Sequence, residues 1–179
     1  MNIHNDVKEI LFSEEEINAR CKELGEQLNE YYKDKTPPVA ICLLKGSIPF
    51  TAELIKRLNM DIDLDVMIVS SYCGTNSSCE VKIKADTSLD LTGRNVLLIE
   101  DIIDTGRTIQ KVKEIFQGRK VNDLKVVTLL DKPERREVDI KPDFCGFTIP
   151  DAFVIGFGLD YNQKYRNLPY IGIIADEAI

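Results

Sequence analysis

The sequence predicts an α/β fold built on a parallel sheet. Two observations carry that expectation. Continuous apolar runs at residues 39–44, 95–99 and 124–130 read as buried strands, of the kind found where helices cover both faces of a parallel sheet. The segments between them carry apolar residues at helical spacing, so strand and helix alternate along the chain.

The elements follow in order. Residues 13–33 read as a helix, because Ser13 and Glu16 fit a capping box and Ile17, Cys21, Leu24, Leu28 and Tyr31 recur at spacings of four and three. Pro37 and Pro38 close the linker to the strand at 39–44. After Lys45-Gly46-Ser47, residues 48–58 look helical, and 64–69 form a further strand. The polar stretch 70–78 reads as an exposed loop, and 81–84 alternates like a half-buried strand. Beyond the strand at 95–99, a helix is expected from Thr108, with Ile109, Val112, Ile115 and Phe116 on one face and Gly118 closing it. Short strands are expected at 153–156 and 170–174 after the one at 124–130. A single domain over 1–179 follows, with a core at about 36–150 and a small cap from about 1–35 and 150–179.

Composition removes several function classes. The 179 residues carry a formal net charge of -7, which argues against a protein made to grip nucleic-acid phosphates. No apolar run approaches the ~18 residues of a membrane span, and the polar start is no signal peptide. Five cysteines, an odd number with no C-x-x-C pair, point to reduced thiols in a cytoplasmic protein. His4 is the sole histidine, so Ser-His-Asp or Cys-His chemistry has no base. Carboxylates, lysine, arginine, hydroxyls, backbone amides and a hard cation such as Mg²⁺ remain.

The stretch VLLIEDIIDTGRT at 96–108 concentrates those groups. Ligands of open parallel sheets bind at the carboxyl ends of strands. Here the acids Glu100, Asp101 and Asp104 lie at such an end, just before a helix. The helix N-terminus suits a phosphate, Gly106 permits close backbone approach, and Thr105 and Thr108 supply hydroxyls. The carboxylates suit sugar hydroxyls or a cation, so a phosphorylated ribose fits the loop. The alternative is an acidic turn in which Asp104 serves only as N-cap.

The same stretch resembles the phosphoribosyl pyrophosphate signature of the type I phosphoribosyltransferases: apolar residues, two acids, two apolar residues, then D-T-G-x-T. Arg107 stands at the variable position. Other segments resemble the hypoxanthine-guanine branch. LLKGS at 43–47 is similar to its pyrophosphate loop, SSYCGTNSS at 70–78 to its mobile lid, LLDKPERR at 129–136 to its purine-reading segment, and 141–172 to its C-terminal segment. The resemblance covers roughly 13–172. Ser47 departs from the more usual glycine or alanine, and Cys73 and Cys79 are departures in the lid.

The resemblance implies a parallel-sheet core with helices on both faces plus a small hood. It implies transfer of 5-phosphoribose from phosphoribosyl pyrophosphate to N9 of hypoxanthine or guanine, giving IMP or GMP and pyrophosphate, with Mg²⁺ as cofactor. Asp104 is then the catalytic proton carrier. Glu100 and Asp101 serve the ribose hydroxyls, directly or through the metal. Thr105, Gly106, Arg107 and Thr108 bind the 5′-phosphate, and Lys45, Gly46 and Arg166 the pyrophosphate. Asp160 holds a pyrophosphate-bound metal. Lys132 reads the 6-oxo group, Phe153 stacks on the purine and Val154 offers backbone groups. For Phe153 and Val154 the alternative is core packing, and for Lys132 a plain surface lysine. Ser71 and Tyr72 close as a lid, and a cis peptide joins Leu44 to Lys45. Family resemblance also implies a homodimer or homotetramer, with no nucleic-acid or membrane partner. Rival readings are a nucleic-acid-binding regulator on the same fold, an enzyme for xanthine or a pyrimidine, and a receiver-like domain.

Overall fold

The computed structural model describes residues 3–73 and 79–178. Its centre is a six-stranded sheet made of β2 (Val39–Leu44), β3 (Asp63–Cys73), β4 (Cys79–Ala85), β5 (Asn95–Ile103), β6 (Asp123–Asp131) and β7 (Phe144–Thr148). The strand order is β4-β3-β2-β5-β6-β7. Every neighbouring pair is parallel except β3 with β4.

The strand pleat feeds two cores. Val39, Ile41, Leu43, Val96, Leu98 and Val126 pack with Ile109, Val112 and Phe116 of α3 (Arg107–Gly118). Ala40, Leu97, Ile99, Val127 and Leu129 point the other way. They pack with Ile17, Cys21, Leu24 and Leu28 of α1 (Glu14–Tyr32) and with Phe50 and Leu54 of α2 (Ile48–Ile55). Helices therefore cover both faces, and the fold is mixed α/β with a mostly parallel sheet, as expected. The Ser13–Glu16 capping box is present at the start of α1.

A second, antiparallel sheet has the order β1-β9-β8, from β1 (Val7–Phe12), β8 (Val154–Ile155) and β9 (Ile171–Ile174). Residues 7–12 thus join the C-terminal strands, while α1 lies on the large sheet.

Several elements differ from expectation. β5 does not stop at Ile99. Its pairing with β6 continues through Glu100↔Thr128 and Ile103↔Asp131, so the two acids are strand residues. Residues 70–73 extend β3 against β4 rather than opening a loop, because Ser71↔Val81 and Tyr72↔Glu80 are paired. The tip of that segment, and the side chains of Ser71 and Tyr72, lie outside the described residues. Residues 82–84 are exposed, because β4 is an edge strand of the sheet. Its lysines Lys82 and Lys84 discourage pairing with another strand. The second helix ends at Ile55 and gives way to turns, and α3 begins at Arg107. Gly118 is the last helical residue, and the left-handed conformation falls on Lys120 (φ 55). Among the described residues no helix is long and apolar enough to cross a membrane.

Candidate active site

The carboxyl ends of β2, β5 and β6 converge with the 153–166 segment on one side of the sheet. Gly106 caps α3 in the left-handed region (φ 85), and no side chain caps that helix. Asp104 is therefore not the N-cap, and the bland reading of it fails. A side chain at Gly106 would be strained by that φ, and its Cβ would stand 2.9 Å from Arg136 Cδ. The turn borders a recess of about 240 Å³ lined by Glu100, Asp104, Thr105, Gly106 and Thr108. With the N–H groups and partial positive charge of the helix start, the recess suits an anion such as a phosphate group. The Arg107 side chain pairs with Glu137 at 2.5 Å, and its backbone N–H donates to Thr105 Oγ1 at 3.4 Å.

Because successive strand residues point to opposite faces, Glu100 lines this recess and Asp101 lines a neighbouring cleft of about 560 Å³. Burial and the adjacent Asp101 carboxylate push Glu100 well above the ordinary carboxyl range. Burial raises Asp101 too, while its hydrogen bonds with Glu100 and the Ile102 N–H and the pull of Arg166 act against it. Neither acid has a cationic side chain at ion-pair distance among the described residues, so the pair suits a hard cation or sugar hydroxyls. No three His, Cys, Asp or Glu side chains converge as a closed metal site among the described residues. A cation here would need ligand oxygens to complete its shell, a common arrangement for Mg²⁺.

Residues 44–47, whose sequence resembles a pyrophosphate loop, close the other flank. The Leu44-Lys45 peptide is cis, as expected. A Cβ at Gly46 would meet Asp101 Oδ2 at 1.6 Å, so glycine is what lets the loop lie against that carboxylate. Equally, a Cβ at Gly158 would meet the Gly46 carbonyl oxygen at 1.9 Å. Lys45 Nζ donates to Gln163 Oε1 at 3.4 Å, and Arg166 Nη2 donates to the same oxygen at 3.3 Å. Arg166 also pairs with Asp160 at 2.8 Å and donates to the Gly158 carbonyl at 2.6 Å. Lys45, Arg166 and Asp160 thus form one cluster through Gln163. Ser47 is fully buried, and its hydroxyl donates to the Leu43 carbonyl at 2.5 Å beside Cys42 Sγ at 3.1 Å. The departure at this position ties the two ends of the loop together. Gly46→Ala is expected to displace the Asp101 carboxylate and to weaken binding of a pyrophosphate-bearing ligand about tenfold; calorimetry with inorganic pyrophosphate and Mg²⁺ checks it.

The larger cleft also takes in Asp104, Lys132, Arg135, Asp151, Phe153 and Val154. Lys132 is only 6% exposed, and its ammonium reaches no nearer acid than Asp151 Oδ1 at 4.0 Å. A largely buried lysine that lines the cleft and has one distant acid suits an acceptor from a ligand, and this is no plain surface lysine. Phe153 is 49% exposed and meets Tyr161 edge to face, so it is not core packing. Val154 is, since its side chain belongs to the main core cluster. Arg135 Nε lies 3.1 Å from Asp104 Oδ1, an atom otherwise without a hydrogen-bond partner. The sequence reading missed Arg135, Asp151, Arg136 and Gln163. The charged run after the strand at 124–130 was the available signal for the arginines.

The sequence matches the family model described as "Phosphoribosyl transferase domain" over residues 8–162. It is 51% identical to a hypoxanthine-guanine phosphoribosyltransferase of Streptococcus thermophilus (strain CNRZ 1066), over 98% of this chain and 97% of that protein. It is 52% identical to the hypoxanthine-guanine phosphoribosyltransferase of Lactococcus lactis subsp. lactis (strain IL1403), over 98% and 96%. The crystal structure of a hypoxanthine phosphoribosyltransferase from Staphylococcus aureus superposes with a TM-score of 0.94 at 49% identity, covering 98% of this chain and 95% of that one. With the acids, the phosphate turn and the buried lysine in place, the chain belongs to the hypoxanthine-guanine phosphoribosyltransferase family.

Proposed function

We propose that the paired recess and cleft transfer 5-phosphoribose from phosphoribosyl pyrophosphate to N9 of hypoxanthine or guanine. The chain is a purine-salvage pentosyltransferase, and its products are IMP or GMP and pyrophosphate. The observation that carries this reading is Lys132, a largely buried lysine in the same cleft as Asp104, directly beside the turn at Gly106.

Purine N9 attacks the ribose C1 as the bond from C1 to the pyrophosphate oxygen breaks. Asp104 accepts the proton released at purine N7. Thr105, Gly106, Arg107 and Thr108 hold the 5′-phosphate through amides and hydroxyls. Lys45, Gly46 and Arg166 receive the departing pyrophosphate, for which the forked guanidinium is well suited. Lys132 donates to the 6-oxo oxygen and disfavours the amino group of adenine, whose donor would face a donor. Phe153 stacks on the base, and the backbone of Val154 faces its edge. Glu100 and Asp101 hold the ribose hydroxyls. These two acids, with Asp160, would hold Mg²⁺, which when bound neutralises phosphate charge. Ser71 and Tyr72 close over the site and exclude water. The small β1-β9-β8 sheet acts as a hood on a single functional unit, and the enzyme works in the cytoplasm as a homodimer or homotetramer.

Ultraviolet-monitored turnover with phosphoribosyl pyrophosphate and Mg²⁺ tests the reading, with hypoxanthine, guanine, xanthine and adenine offered in parallel. Conversion of hypoxanthine and guanine with adenine inert is expected. Failure of every base, with phosphoribosyl pyrophosphate still bound by calorimetry, would overturn it.

A further inference from the structure

The turn that carries Asp104 is tied down from one direction. The Ile103 carbonyl accepts from the Lys132 N–H at 2.9 Å, and the Thr105 carbonyl accepts from the Glu137 N–H at 3.0 Å. Between them, the Asp104 carbonyl accepts from Arg136 Nη1 at 3.1 Å. Three consecutive carbonyls are thus each held by the 132–137 segment. The outer two bonds come from main-chain N–H groups, which most side-chain substitutions would leave in place. The middle one depends on a guanidinium.

That guanidinium is itself anchored. Arg136 Nη2 pairs with Asp131 at the end of β6, and both side chains are 13% exposed. The stem of Arg136 passes over Gly106, at the place where a Cβ would stand 2.9 Å from its Cδ. Arg136 therefore bridges the strand that ends beside Lys132 and the backbone of the candidate proton carrier, and it is not itself among the residues lining the cleft. Lysine cannot reproduce both contacts, because the bridge needs two donors in a planar fork.

We propose that Arg136 is a positioning residue for the transfer reaction, an inference that rests on the assignment of Asp104 under the proposed function. By tethering the Asp104 carbonyl to Asp131, it sets where the Asp104 carboxylate stands against purine N7. Its removal leaves the Asp104 carbonyl unanchored and the Asp104 carboxylate to its contact with Arg135 alone, while the Ile103 and Thr105 carbonyls keep their main-chain bonds and the turn keeps its form. The cost falls on turnover, since a shift of about 1 Å at a reacting group can cost 10²-fold.

The test is a kinetic cycle on the full-length enzyme with hypoxanthine, phosphoribosyl pyrophosphate and Mg²⁺. Arg136→Met, Arg136→Lys and Asp131→Asn are each measured in the wild-type and Asp104→Asn backgrounds, with rates corrected for folded fraction by circular dichroism. With Asp104 present, Arg136→Met is expected to lower kcat between tenfold and about 10²-fold with the KM for phosphoribosyl pyrophosphate changed less than threefold. Arg136→Lys and Asp131→Asn should lower kcat in the same direction by less. With asparagine at 104, the same changes should cost less than threefold, because no proton carrier remains to position. Equal losses in both backgrounds, or a kcat within twofold of wild type in all three variants, overturn the inference. If Arg136→Met does not fold, the lysine and asparagine variants decide by the same criterion. An inactive wild-type enzyme would instead sink the functional reading itself.

Discussion

Asp104→Asn is expected to lower the turnover number by about two to four orders of magnitude while phosphoribosyl pyrophosphate still binds, because asparagine keeps the shape of the side chain but cannot take up a proton from purine N7. The surroundings make this a clean substitution. Gly106 rather than Asp104 caps α3, so no helix cap is lost. The carbonyl of residue 104 keeps its bond from Arg136. What does go is the charge attraction from Arg135, 3.1 Å away in a half-exposed pair. Such pairs contribute about 0–1 kcal/mol, so thermal unfolding should shift by a few degrees at most. Single-turnover kinetics beside calorimetry with phosphoribosyl pyrophosphate separates chemistry from binding. Turnover near the wild-type rate would mean that the proton leaves by another route.

Lys132→Ala is the second large effect. A hydrogen bond from a charged donor to the 6-oxo oxygen contributes about 1.5–3 kcal/mol, which corresponds to a rise of roughly 10- to 150-fold in purine KM or Kd. Affinity for phosphoribosyl pyrophosphate should move far less, since Lys132 lines the larger cleft and not the phosphate recess. Loss of discrimination against adenine should accompany it. The melting temperature need not fall with activity. A lysine that is 6% exposed as a residue, and whose one ion-pairing acid among the described residues lies 4.0 Å away, is costly to bury, and its removal relieves that cost while opening a cavity. Equal weakening of purine and phosphoribosyl pyrophosphate would take Lys132 out of the base pocket.

Much of this was legible in the sequence where local pattern and tertiary fate agree. The capping box at Ser13 and the apolar runs of β2 and β6 are elements whose residues already match their surroundings. Legibility failed where pairing across the sheet overrode local pattern. The charges of Glu100 and Asp101 look like the end of a strand, yet β6 continues beside them and holds the chain extended to Ile103. β1 carries exposed positions through its centre and shows no clean alternation. β7 is five residues long and interrupted by Gly146, whose Cβ would stand 2.4 Å from the Leu129 carbonyl oxygen. The site divides similarly. The phosphate turn is contiguous and could be read directly. Arg136 acts on Asp104 across 32 positions, and Gln163 joins Lys45 across 118, separations that no local motif records.

The two cavities meet at a shared wall, since Ile102 and Asp104 line both. For ligand discovery this makes the site bivalent. A small anion fitted to the recess and a flat 6-oxo heterocycle fitted to the cleft would sit on either side of one carboxylate, close enough to join by a short rigid linker. Once one end is seated, the other meets its cavity at an effective concentration on the order of millimolar or more, so two weak fragments become one tight inhibitor. A linker carrying a cation would also pass the Asp104 carboxylate that lines both cavities. Compounds confined to one cavity gain nothing from this geometry.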